Sequence, residues 1–228
     1  MKPASCPTAP NQDVTAVAEW VADIVRDRII KGVLPAGSRI VERKLSAELD
    51  VSRTPIREAL KLLHADKLID ISRHKGAQVK VYSAEQVLEL FDVIASLESL
   101  AAEHLAAILT PAQLEHIEAL HAQMLVHYEM AQLDEYFDIN SKIHSYIITY
   151  SGNEILQEFH KKLMARAQRG RFMAIMDPDR LKQAVVEHDQ LMAAFRSRDT
   201  EMARQVWRAH LQNTGKSVTE VLRHQSLS

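Results

Sequence analysis

Val51-Ser52-Arg53-Thr54-Pro55-Ile56-Arg57-Glu58-Ala59-Leu60 reads as the start of a helix whose first turn is built to meet a polyanion. Ser52 stands where a hydroxyl can cap free backbone N–H groups, and Pro55 in the first turn lacks an N–H that would need a partner. Arg53, Thr54 and Arg57 crowd the same end, where the helix dipole already favours an anion. Ile56, Ala59, Leu60 and Leu63 recur at helical spacing, so the opposite face is an apolar stripe that a core can hold. Upstream, Leu45-Ser46-Ala47-Glu48-Leu49 predicts a short helix, and Asp50 fills a tight turn that needs a residue tolerant of left-handed geometry. Short helix, tight turn and a second helix (52–65) with a cationic head make a helix-turn-helix.

Working outward, Val17, Val21, Ile24, Val25 and Ile29 form the stripe of a first helix from Val14 to Lys31, which Gly32 ends. Leu34-Pro35-Ala36-Gly37 is a turn that leads Ile40-Val41 into a helix over 42–49. After the second helix, Leu68–Ser72 alternates as a strand does, Arg73-His74-Lys75-Gly76 turns, and Ala77–Val81 returns as a second strand. This hairpin is a wing with a cationic tip, and its glycine permits close backbone approach to a partner.

The rest of the chain predicts amphipathic helices with clear start signals. Ser83 with Gln86, and Thr110-Pro111 with Gln113, fit capping boxes, while Asp177-Pro178 and Asp199 or Thr200 open two more helices. The expected helices span 84–109, 111–130, 133–149, 153–173, 178–196 and 200–224. The fold class is therefore mainly α: an N-terminal winged helix-turn-helix (14–82) follows a disordered tail (1–13) and precedes an all-α antiparallel helical bundle (83–228).

Composition agrees. The 228 residues are 46% hydrophobic with six Gly and seven Pro, enough to bury a core in one or two domains. The formal charge is −2, yet residues 1–82 carry 14 Lys/Arg against 10 Asp/Glu, so the basic front is the part expected to meet a polyanion. Cys6 is the only cysteine, which leaves no internal disulfide and fits a reducing cytosol. The tail lacks the apolar core of a signal peptide, and no stretch approaches a membrane span, so a cytoplasmic protein with no membrane partner is expected.

Residues from about Val14 to Tyr82 resemble the winged-helix domain of the GntR family of bacterial transcription regulators. The matching stretches are Ile30–Gly37, Glu42-Arg43-Lys44-Leu45 and, above all, Val51–Leu60. The resemblance implies that Arg43, Ser52, Arg53, Thr54 and Arg57 contact double-stranded operator DNA and that His74, Lys75 and Gly76 approach the minor groove. Asp50 departs from the glycine more usual before the Val-Ser-Arg run. On physical grounds Arg53 and Arg57 are the candidates to read guanine edges, while Ser52 and Thr54 suit phosphate.

In the second half, polar residues interrupt three apolar faces. Asn140 and His144 share a face with Phe137 and Ile147, His188 one with Leu181, Ala184, Leu191 and Phe195, and His210 one with Ala203, Trp207, Thr214 and Val218. Four potential ligands, two of them at i,i+4 on a single helix, can converge on one divalent cation, with Zn, Ni or Mn all compatible with N/O donors. The other histidines, His121 and His160 among them, show no such convergence and are expected at the surface or as helix filler.

This pattern resembles the FCD effector domain of the FadR-type branch of the GntR family, whose metal-binding members use an Asp or Asn, a His four residues later and two further His. Asn140, His144, His188 and His210 match those positions. An Asn in place of Asp leaves the cation's charge uncompensated and favours an anionic further ligand, such as the carboxylate of a small organic-acid effector. Arg166 is a candidate for a second contact to that effector. The family's Arg one turn before Glu98 is here Ile94, so effector identity does not carry over.

The expected protein is a homodimeric, ligand-responsive repressor, not an enzyme. Two rivals differ in class. An architectural DNA-binding dimer would hold a structural metal or none. A metallohydrolase would need a general base near the metal, and no carboxylate is expected on those inner faces: Glu187 and Asp189 flank His188 but should point away from its stripe.

Overall fold

The computed structural model of the protein describes residues 13–226; Cys6 and the expected tail up to residue 12 lie outside the described residues. The first helix, α1 (Val14–Ile30), opens on Asp13, whose carboxylate accepts from the Thr15 N–H. A short strand, β1 (Arg39–Ile40), precedes α2 (Glu42–Leu49) and α3 (Arg53–Ala65). Asp50 between the two helices adopts φ 52°, ψ 44°, the left-handed turn its side chain tolerates. The wing follows as β2 (Ile69–Ser72) and β3 (Gly76–Val79).

Two local expectations need correction. Arg39–Ile40 is not merely a helix entry but the third strand of the wing sheet, antiparallel to β3 in the order β1-β3-β2. Two residues carry too little alternation to signal a strand, so only pairing with β3 defines it. Ser52 is the N-cap residue of α3, with extended backbone, but its side chain makes no capping bond. The third helical residue is Pro55, which has no N–H for the Ser52 hydroxyl to receive. One core then holds this half together: Val21, Val25 and Ile29 of α1 pack with Ile56, Ala59, Leu60 and Leu63 of α3 and with Ile69 and Val79 of the sheet.

Contacts divide the chain between Val81 and Tyr82. The second unit contains α4 (Ala84–Ile108), α5 (Pro111–Glu129), α6 (Leu133–Tyr150), α7 (Glu154–Ile175), α8 (Pro178–Ser197) and α9 (Thr200–Ser226). Both capping boxes form: the Ser83 and Thr110 hydroxyls accept from the Gln86 and Gln113 N–H groups, and each Gln side chain accepts in return. Asp177 accepts from the Asp179 and Arg180 N–H groups at the head of α8. Such caps are worth about 1 kcal/mol each.

Within this second unit the most extensive helix pair is α4 on α9, with α5 on α6 and α8 on α9 next. Small residues allow the α4–α9 approach: a Cβ on Gly215 would lie 2.7 Å from Phe91 Cβ. These packings turn the interrupted faces of α6, α8 and α9 inward.

Candidate nucleic-acid interface and metal centre

The head of α3 is an exposed cationic cluster. Arg43, Ser52, Arg53, Thr54 and Arg57 are all exposed, as are His74 and Lys75 in the wing turn. Arg53 Nη2 and Arg57 Nε both donate to Glu42 Oε2, at 3.0 and 3.1 Å. These bonds, Arg53's first, hold the Glu42 carboxyl below its usual range. One carboxylate thus keeps both arginines side by side at the helix N-terminus, with their remaining donors free to take phosphate or base acceptors.

Arg39 is a member of this face that the sequence reading did not single out. It shares a cleft with Arg43, Arg53, Arg57 and Gly76. Gly76, at φ +71°, lies against the Arg39 guanidinium: a Cβ there would sit 3.6 Å from Arg39 Nη2. Register of the unforeseen strand β1 is what aims Arg39 at the wing, so no local signal could have marked it.

In the helical unit, α6, α8 and α9 bring His144, His188 and His210 together. Each is buried, and each offers a ring nitrogen such that all lie within 4.8 Å of one another. His188 and His210 meet edge to face with centroids 5.0 Å apart, while Trp207 stacks on His210 at 4.5 Å and closes one side. Asn140 is one helical turn before His144, on the same buried face.

Two buried carboxylates orient this set. Glu98 on α4 lies at 2.6 Å from His144 Nδ1, and Glu187 on α8 lies at 2.7 Å from His210 Nδ1. Each bond places the proton on Nδ1 and leaves Nε2 as a lone pair. Burial would raise the Glu98 carboxyl, but its bonds to His144 and His160 outweigh that and hold it well below the ordinary carboxylate range. Burial pushes the imidazoles the other way: His144 falls to about 3, and His188 and His210 are lowered as well. All three are neutral at physiological pH, the state in which imidazole binds a metal.

The donor set fits a cation by a second criterion. Asn140 Oδ1, His144 Nε2 and both nitrogens of His188 are buried and have no hydrogen-bond partner among the described residues. Buried polar atoms are rarely left so, because each loses its water without compensation. Coordination by one divalent first-row metal would satisfy a lone pair on each of these residues.

Three expectations about neighbouring residues change. Glu187 does not point away from the His188 stripe: Ala184, Glu187, His188 and Leu191 follow i, i+3, i+4, i+7, and a buried helical stripe is wide enough to include Glu187. Glu98, between Ile94, Ala95, Ala102 and Leu105, likewise interrupts an apolar face. Both are already engaged by donors, which makes them supports for the imidazoles rather than a free general base. His160 and His121 are not filler: His160 Nε2 lies 2.9 Å from Glu98 Oε1, and the His121 ring stacks parallel to His188 at 6.2 Å.

Arg166 is half-buried on α7 and does not line the space beside the cluster. Two other arginines do. Arg171 and Arg180, both buried, line a narrow pocket with Asn140, His210 and Thr214.

Comparison with known proteins gives a consistent result. Residues 17–79 match the sequence model "Bacterial regulatory proteins, gntR family", and residues 89–213 match the FCD domain. The HTH-type transcriptional repressor RspR of Escherichia coli K12 is 24% identical over 92% of this chain and 92% of its own length. The gluconate operon transcriptional repressor of Bacillus subtilis is 29% identical over 64% of each chain. Among solved structures, Escherichia coli McbR/YncC superposes with a TM-score of 0.76 at 22% identity, covering 94% of this chain and 99% of that one. A regulator from Rhodococcus sp. RHA1 gives 0.75 at 22% identity, over 90% and 98%. Among the described residues, no helix is long and apolar enough to cross a membrane.

Proposed function

The chain belongs to the gntR family of bacterial regulatory proteins and carries an FCD domain, and from that premise we propose a repressor of the FadR-type branch whose operator affinity is set by a small organic acid docked on a divalent metal. DNA binding and transcription regulation are the family's business; its two domains are those of regulators, not enzymes. The metal, the acid, the homodimer and the near-palindromic operator are the proposal.

One observation carries it: three buried, neutral imidazoles from three helices converge within 4.8 Å, two of them oriented by buried carboxylates. In this reading His144, His188 and His210 hold the metal with Asn140, and Glu98 and Glu187 keep the rings in the tautomer that presents Nε2. Bound there, the metal supplies a Lewis-acidic docking point for a carboxylate. Asn140 adds no negative charge, so the site calls for an anion from outside.

On the DNA side, Arg53 and Arg57 read base edges while Ser52 and Thr54 hold phosphate, with Arg43, His74, Lys75 and Gly76 along the flanks. A dimer would place two such heads on two half-sites. An acid that binds better in one arrangement of the dimer then shifts operator affinity, and about 1–3 kcal/mol of coupling changes it 5- to 150-fold.

The test is elemental analysis of the purified protein and of His188→Ala, paired with fluorescence anisotropy on duplexes from its own genomic neighbourhood. Stoichiometric metal lost in the variant, and an acid response abolished by chelator, are expected. Wild-type protein without metal under metal-replete expression would overturn the reading.

A further inference from the structure

Four charged side chains are buried among the described residues: Glu98, Glu187, Arg171 and Arg180. All four belong to the region around the three histidines, and their formal charges cancel. With the imidazoles neutral and Asn140 uncharged, a divalent cation there would leave two positive charges without a counter-ion. A single carboxylate neutralises only half of that.

The arginines show where the second negative charge would go. Arg180 is tied down through Nη2, which lies 2.9 Å from Glu187 Oε2, the His210 carbonyl and Thr214 Oγ1 and shares its two N–H groups among them. Its Nε and Nη1 are buried and have no partner among the described residues. Arg171, 3% exposed, has both Nη1 and Nη2 buried without a partner among the described residues, and no carboxylate there pairs with it. Its neighbour on one side is the Phe137 ring, 5.8 Å from the guanidinium carbon. A buried guanidinium with two idle donors is costly unless an acceptor arrives. Both arginines line the same pocket as Asn140 and His210, so these donors and the metal-ligand candidates open onto one space.

We propose that the effector is a small dicarboxylate, one carboxylate docking on the metal and the other taken by the Arg171 guanidinium, with Arg180 beside it. This rests on the metal reading above and narrows its ligand class. The guanidinium fork matches a planar carboxylate with two parallel bonds. The pocket, about 10 Å³, has room for no more than about one water-sized sphere between its walls. No diacid enters that space without movement, which limits the ligand to a short chain, and its entry must push α7 and α8 side chains apart. That displacement is a direct means for the ligand to favour a different packing of the bundle.

The test is titration calorimetry on metal-loaded full-length protein, with malonate, succinate and glutarate set against propionate, butyrate and valerate. Metal content is measured on every sample. The variants are Arg171→Met, which nearly keeps the side-chain volume and removes no hydrogen bond to a described residue, and Arg171→Lys, which keeps the charge but not the fork. At least one diacid should bind wild type tenfold or more tighter than its monoacid of equal length. Arg171→Met should erase that preference while retaining metal and monoacid affinity, and Arg171→Lys should restore it only in part. Equal affinity for diacids and monoacids with metal bound, or a preference that survives Arg171→Met, overturns the dicarboxylate and leaves the metal reading intact. Absence of metal, or of any acid binding, overturns both.

Discussion

Glu98 Oε2 lies 2.6 Å from His144 Nδ1, with both side chains buried. The same carboxylate accepts from Trp207 Nε1 at 3.0 Å and meets His160 Nε2 at 2.9 Å. Three donors on one buried acceptor leave no position for an amide NH2. Glu98→Gln should therefore disturb the ring orientation and weaken metal binding by about 10–100-fold. It should also destabilise the metal-free protein by about 1–3 kcal/mol, since at least one donor loses its acceptor. Chelator competition and urea melts read the two effects separately, and unchanged metal affinity would deny Glu98 its orienting role.

Asn140 is the amide in a donor set that carries no charge. Asn140→Asp adds a negative charge beside the cation, so metal affinity should rise at least about tenfold. The affinity for an acid effector should fall in parallel, because one unit of charge is already compensated. A variant that binds both more tightly would separate the acid from the metal.

Acid should unfold the metal-free helical domain early. Burial lowers the folded pKa of His144 to about 3 from the ordinary imidazole value of 6.5, and His188 and His210 are lowered in the same direction. Below pH 6.5 the unfolded chain takes up protons that the folded chain refuses, so stability present above that pH is lost progressively as pH falls toward 3. Glu98, held below the usual carboxylate range, adds a loss of the same sign below about pH 4.5. Thermal melts of chelated protein should show a falling midpoint between pH 6.5 and 4, and His188→Leu should flatten that slope. A midpoint constant across this window would mean that the rings are not held neutral.

Arg57→Ala should remove about 1–3 kcal/mol of operator discrimination while leaving the fold and weak binding to random duplex in place. Glu42→Gln tests the converse. It removes the carboxylate that holds Arg53 and Arg57, so non-specific affinity at low salt should rise several-fold. Gel-shift competition across salt concentrations reads both; selectivity unchanged in Arg57→Ala would reassign that side chain to phosphate.

Gly215→Ala tests the close packing of α9 on α4. The new methyl would lie 2.7 Å from Phe91 Cβ, and Phe91 is buried at a helix interface with little room to move. A loss of about 1–3 kcal/mol is expected from forced separation of the helices. Chemical denaturation measures it, and a neutral result would show that the pair tolerates a shift.

Much of the architecture was legible along the chain because its signals are local. Periodicity, capping boxes and the Asp50 turn need only neighbours within one or two helical turns, and the observed helices depart from the expected bounds by two residues at most. The three histidines could be singled out for the same reason: a polar residue on an apolar stripe is visible in one helix alone. The supports were harder to read. Glu187 escapes because a stripe one residue wide misses its edges, and His160 because only the packing of α4 and α7 brings it to Glu98. Arg39 depended on the pairing of a two-residue strand with β3.

By itself, then, the amino-acid order determined which segments coil, where they stop, which faces are apolar and which polar side chains break those faces. These are consequences of backbone sterics and of spacing within a single element. Only tertiary structure decided that Glu98 and Glu187 would aim two imidazoles, that Trp207 would close one side, and that Arg171 and Arg180, rather than Arg166, would line the adjoining pocket. Each of those relations joins residues on different helices, and it exists only once burial has stripped their water and left each charge to find its partner across the core.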